Sequence, residues 1–376
     1  MEFIKEQKNK SIFKTYFIYF ICIVCFVLLR IIGSLGLFKE LSDNMYEIVY
    51  TVLVEIITLF LIPLILYCLF IKVKPKQVFA TCNFNKCNLK TILISIILGF
   101  IIYFLTVILS TFFNGIIILF GYTSSSSGSG DITTTSYIIQ IFTVAILPAF
   151  CEEFLHRGIL LQGTKHMGFT KAIITSGILF GLIHLNITQV FYAMILGIVI
   201  GYISVISKNI WPAIIVHFMN NFMSITSSYL QTTNEGFAKL VNQFYISLNN
   251  MNFILLIISI TIILAIIVFA IYFLVSKLYQ YSIISKVTKA INQVYNKNGQ
   301  AISNTPIQIY DSEVRSLIEN TTTLNLDFSS AKSPIDIIMP KQTKIYKTNY
   351  KDKIFLKASY ILTIIITVFT FIWGVL

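Results

Sequence analysis

Charge is scarce in this chain. Only 12% of its 376 residues are Asp, Glu, Lys or Arg, and 56% are hydrophobic. A soluble domain with so few charges cannot cover its surface, so the composition excludes that class and leaves a membrane protein. Acidic residues are rarer still, 16 against 28 basic ones. Histidine occurs four times, at 156, 166, 184 and 217. No small-residue cleavage site follows the first apolar run, so it reads as an ordinary span and not as a signal peptide. No H-E-x-x-H is present, no rhomboid-like Ser/His pair stands out, and no internal repeat is visible. The six cysteines suggest no site: Cys22 and Cys25 form a C-x-x-C inside an apolar run, and Cys82 and Cys87 fall in an expected cytoplasmic loop where free thiols are the rule.

What the chain has in abundance is long apolar runs. A span needs about 20 mostly apolar residues, and nine runs qualify, near 14–37, 47–71, 91–120, 137–163, 170–187, 189–207, 210–229, 252–276 and 354–376, the fifth being the shortest. The fold expected is all-α and polytopic, with about nine transmembrane helices. Its parts are spans 1–3 (1–120), a Ser/Gly-rich external loop (121–136), a compact four-helix core (137–230), and a polar external loop with span 8 (231–277). A small cytoplasmic insertion (278–353) and the last span (354–376) complete it. The insertion has weak strand-like stretches, "PIQIYD" and "TLNLDF".

The net charge of +12 is a topology signal. With the N-terminus cytoplasmic and nine crossings, Lys5, Lys8, Lys10, Lys14, Lys74, Lys76, Lys86, Lys90, Arg157, Lys165, Lys171, Lys208 and the lysines of 277–353 all lie inside. Little more than Lys39 and Lys239 lies outside. Every loop obeys the positive-inside rule under that one topology, so the partner of this charge is the bilayer and not nucleic acid.

Ionisable side chains within spans cost about 2.5–3.5 kcal/mol each, so they are functional candidates. Between Ile132 and Asn234 the only acidic residues are Glu152 and Glu153, and all four histidines share that window. On a helix Glu153 and Arg157 are one turn apart and read as an architectural ion pair. Glu152 points about 100° away and is left as a proton acceptor. Pro148 is expected to kink the helix and help admit water. His184, in "LFGLIHLN", and His217 with Asn221, in "HFMNNF", add two imidazoles and an amide from two further spans. A lone histidine in an apolar helix is more often a packing residue; three spans converging is the stronger signal. Such a set can activate a water and stabilise an oxyanion. The same Glu152, His184 and His217 can equally hold a zinc ion with an open position. Arg30 and Glu55 read as a structural pair between the first two spans.

"EEFLHR" fits E-E-x-x-x-R, "FGLIH" fits F-x-x-x-H and "HFMNN" fits H-x-x-x-N. In this order on successive apolar segments they resemble the CAAX protease and bacteriocin-processing (CPBP, or Abi) family of intramembrane peptidases. With ten Glu and three Arg in the chain, the first motif arises by chance about 0.002 times. The resemblance covers about residues 137–230. It implies that Glu152 and His184 activate the water, that His217 and Asn221 form the oxyanion site, and that Glu153 and Arg157 support the architecture. The family is described both with and without a metal, so no cofactor or zinc follows from it. His156 stands where the family often has an aromatic residue; one turn from Glu152, it can modulate that base.

The expectation is therefore a multi-pass cell-membrane endopeptidase acting on a membrane-embedded or membrane-associated peptide, with a site opening towards the cytoplasmic side. The Lys-, Asn- and Ile-rich composition points to an AT-rich bacterium, where peptide maturation, export-signal processing or self-protection against bacteriocins are the roles in view. A non-catalytic immunity or scaffold protein of the same fold is one alternative. A proton-coupled transporter is another, though no paired broken helices in two halves support it. The "GSGD" at 128–131 fits an aspartyl protease poorly, because Asp131 lies in a polar loop and the only Tyr-Asp, Tyr310-Asp311, lies in the insertion.

Overall fold

A computed structural model describes residues 2–36, 40–122, 132–294 and 350–375. Most of the Ser/Gly-rich loop with its "GSGD", and most of the 278–353 insertion with Tyr310, Asp311 and both strand-like stretches, lie outside the described residues. The described residues form eleven helices and no strand, an all-α polytopic membrane protein. The helices are α1 (Glu2–Ser34), α2 (Asp43–Ile71), α3 (Pro75–Thr81), α4 (Leu89–Leu119), α5 (Thr134–Met167) and α6 (Phe169–Leu182). There follow α7 (Ile187–Ser207), α8 (Trp211–Thr233), α9 (Glu235–Asn249), α10 (Phe253–Val294) and α11 (Tyr350–Val375).

Seven of these are long and apolar enough to cross a bilayer: α1, α2, α4, α5, α7, α10 and α11. The two other expected spans depart for different reasons. At 14 residues, α6 rises only about 21 Å. In contrast, α8 has 23 residues, enough length, but its polar His217, Asn220, Asn221 and Ser224 lower its hydropathy. The expected external loop after α8 is instead the helix α9, capped by the Asn234 side chain on the Phe237 backbone N–H at 2.9 Å. Similar caps start α4 (Asn88) and α7 (Asn186).

The bundle has a lysine-rich end and an opposite end. At the first, Lys14 donates to the Phe70 carbonyl (2.7 Å), Tyr16 reaches Met167 Sδ (3.1 Å), Asn85 donates to the Lys208 carbonyl (3.0 Å) and Ser282 to the Ser207 carbonyl (2.7 Å). At the other, Thr143 donates to Glu47 (2.6 Å), Tyr137 stacks on Tyr229 with centroids 4.2 Å apart, and Tyr122 stacks on Phe371 at 5.8 Å.

Two features of the packing position the site. First, α6 and α7 form a hairpin whose helices touch through glycine. A Cβ on Gly177 would lie 2.7 Å from the Ile198 backbone nitrogen, and one on Gly197 would lie 2.9 Å from the Gly177 Cα. Small-residue faces of this kind let two backbones approach inside a membrane. Second, the helix does not break at Pro148. The π-helical stretch 141–146 precedes it and α5 runs on through it, so wider turns absorb the missing N–H and the ring clash. In α2 the stretch 52–61 does the same before Pro63.

Candidate active site

The second half of α5 is the longest buried run among the described residues: every residue from 151 to 164 is buried. Arg157 and Glu153 are both fully buried there and joined at 2.6 Å from Nη1 to Oε1. Arg157 Nη2 also donates to the Gly197 carbonyl at 2.8 Å, and its guanidinium lies 4.4 Å over the Phe180 ring. Such a pair is weak evidence of stability by itself, but removing one partner costs about 3–5 kcal/mol by stranding the other charge. Glu153 does more than pair with Arg157. The same Oε1 accepts from His217 Nδ1 at 2.9 Å, so this carboxylate ties α5 to α8 and sets the imidazole's orientation.

That contact fixes the chemistry of His217. With Nδ1–H on Glu153, the neutral ring has its lone pair on Nε2, where Asn221 Nδ2 donates at 3.2 Å. Asn221 Nδ2 also donates to the Val144 carbonyl (2.9 Å), and Asn220 donates to Asn221 Oδ1 (3.2 Å). Both ring nitrogens of His217 are therefore engaged, and so is the Asn221 amide. His184 is held differently: Nδ1 donates to the Phe180 carbonyl at 2.9 Å, which leaves Nε2 as the acceptor. His156 sits behind the site, fully buried. Its Nδ1 meets the Glu152 backbone carbonyl (2.8 Å), not the carboxylate, and its Nε2 meets the Tyr19 hydroxyl (3.2 Å).

Phe180 is the hub that the F-x-x-x-H spacing only hinted at. Its ring centroid lies 5.3 Å from His156, 5.4 Å from His184 and 5.4 Å from His217. These are edge-to-face contacts, which favour a fixed ring orientation.

Glu152, His184, His217 and Asn221 all line one cavity of about 490 Å³. Glu152 Oε2 is buried there without a hydrogen-bond partner. A second carboxylate joins it. Glu55 lines the same cavity, is 7% exposed, and also has an unpartnered Oε2. The expected pair with Arg30 does not form; Arg30 instead donates to the His184 carbonyl at 3.3 Å. The reason is local backbone. Residues 183–186 turn between α6 and α7, with Leu185 at a φ of 52°, and irregular backbone at membrane depth survives where it lines a cavity and finds donors. The signal for Glu55 was its isolation: a carboxylate in an apolar run with no cation one turn away.

The exposed residues of the cavity wall, Arg30, Val107, Thr111, Val144 and Ser224, lie on the half of their helices away from the lysine-rich loops, whereas the expectation from sequence was an opening towards the cytoplasmic side. On the lysine side of Glu152, α5 is buried through Thr164.

Among the described residues no group of three His, Cys, Asp or Glu side chains could hold a metal ion, and both ring nitrogens of His217 are hydrogen-bonded. All six cysteines are free thiols.

No curated protein and no solved structure matches the chain. Residues 134–223, from the start of α5 into α8, match the family model for type II CAAX prenyl endopeptidases, Rce1-like, which is the family the three motifs resemble.

Proposed function

We propose that the protein is an integral-membrane endopeptidase of CAAX-protease type, hydrolysing a peptide bond with a water activated by Glu152 and His184. One observation carries this reading: an unpartnered carboxylate and a lone-pair imidazole nitrogen face one cavity, with a second imidazole and an amide on its wall. A water between Glu152 Oε2 and His184 Nε2 gives a proton to the carboxylate as its oxygen bonds the scissile carbonyl carbon. Glu152 then returns that proton to the leaving nitrogen as the C–N bond breaks. The oxyanion forms near His217 and Asn221. At rest these two satisfy each other. As charge develops on the carbonyl oxygen, the Asn221 amide, held at rest against His217 Nε2, turns its N–H to that oxygen, with no further proton transfer. Glu153, bonded to His217 Nδ1, holds the ring in place on that wall. Glu55 adds a second carboxylate to the wet wall. No step runs through a metal.

The substrate class is a membrane-embedded or membrane-associated peptide. The test is cleavage of a membrane-inserted peptide library by wild type, Glu152→Ala and His184→Ala, with and without a chelator. The expected result is a loss of about 10²–10⁴-fold in each variant, with chelator-resistant turnover in the wild type. Equal turnover in all three proteins ends the peptidase reading. Partner binding that survives both substitutions would favour a scaffold instead.

A further inference from the structure

We propose that the cavity is filled from the extracytoplasmic face of the membrane, so its substrates are peptides or membrane-anchored segments presented outside the cytoplasm. For the word "substrate" this rests on the peptidase reading; the direction of opening does not.

Position along the helices is the first argument. Seven helices contribute lining residues. On six of them, the lining residue nearest the lysine-rich end is still about 16 Å or more of helix away from it. Phe26 on α1, Glu55 on α2 and Glu152 on α5 are examples, measured from Lys14, Ile71 and Met167. Only α8 reaches deeper, with His217, and its later lining residues climb to the opposite end.

Exposure is the second. The exposed residues of the wall are Arg30, Val107, Thr111, Val144 and Ser224, and all lie on the half of their helix away from the lysines. Towards the lysines, the Glu153–Arg157 pair, Phe154 and the Tyr19–His156 contact form a dry floor. A polar chain cannot cross that layer without breaking a buried ion pair.

Charge supplies the sign. Lys14, Lys72, Lys74, Lys76, Lys86, Lys90, Lys165, Lys171, Lys208 and Lys277 sit at the closed end. The open end has Arg30 and Lys239 among its described residues, together with the acidic Glu40, Asp43, Glu47 and Glu235. Lysine-rich loops stay in the cytoplasm, because moving them across the bilayer is what the insertion machinery resists. The open end is therefore the outer one.

The test uses the full chain in intact cells and in inverted vesicles, with a membrane-impermeant maleimide. Thr111→Cys and Ser224→Cys each replace an exposed side chain, so two independent variants guard against one misfolding. Both are expected to label above wild type from outside the cell. Native Cys87, in the lysine-side loop, is the internal reference, and a Cys87→Ser variant should lose label in inverted vesicles alone. Labelling of both new cysteines only in inverted vesicles overturns the proposal. A second arm adds a membrane-impermeant peptide to cells. Cleavage that Glu152→Ala abolishes bears the proposal out, and cleavage confined to inverted vesicles overturns it. Outward labelling with no cleavage on either side supports the opening and counts against hydrolysis instead.

Discussion

Glu152, Glu153 and Glu55 are the same side chain in three environments, and their environments separate their work. Glu153 is neutralised by Arg157 and His217 and cannot be spared from the fold. All three have an unpartnered Oε2, but Glu152 and Glu55 make no ion pair and line the cavity, which Glu153 does not. A buried polar group left unsatisfied costs about 1–3 kcal/mol, so a protein retains such groups only under some other constraint. Glu55→Leu is therefore expected to raise the thermal unfolding midpoint in detergent while lowering peptide turnover. A variant that is both less stable and fully active would show Glu55 to be structural after all. The doublet and its two histidines were readable because spacing alone puts E-E-x-x-x-R on one turn of helix. The role of Glu55 was not, because nothing in "LVEIITL" says which neighbour it faces. The bond from Glu153 to His217 joins positions 64 residues apart, which no local spacing reports.

At the level of elements, the α6–α7 hairpin is held together by what it lacks. Gly177, Gly181 and Gly197 leave no room for a methyl group, since each added Cβ would meet the facing backbone at under 3.0 Å. Gly177→Ala is expected to cost about 1–3 kcal/mol and to lower activity, because the hairpin carries Phe180 and His184. Parallel losses of midpoint and turnover would bear this out, and an unchanged midpoint would sink it. The "GILFG" and "GIVIG" pentads were in plain view as small-xxx-small signals. So was α9, whose Phe237, Leu240, Val241, Phe244, Tyr245 and Leu248 recur at helical spacing. The Asn, Gln and Thr residues around them give the same segment the polarity of a loop. The short α6 was harder: its apolar run continues past residue 182, and only the turn at Leu185 ends it.

For the whole molecule, the helices outside the matched segment supply one wall of the site and its brace. Helix α1 carries Tyr19 and Phe26, α2 carries Glu55, and α11 packs on α1 through Phe355 against Phe13 and Phe17, with centroids 5.5 and 4.9 Å apart. No described residue of α11 lines the cavity. Removing residues 350–375 is therefore expected to lower the unfolding midpoint while leaving measurable turnover; complete loss of turnover in a chain that remains folded would give α11 a part in the site.

Membrane residence, the all-α class and the identity of the polar cluster were determined by the sequence alone. Hydropathy, lysine placement and helical spacing are local quantities, and one chain contains all of them. Which side chains bond each other, and that Glu55 joins the cavity, were decided only by tertiary structure. Those depend on helix offset and rotation, which arise from packing between segments far apart along the chain.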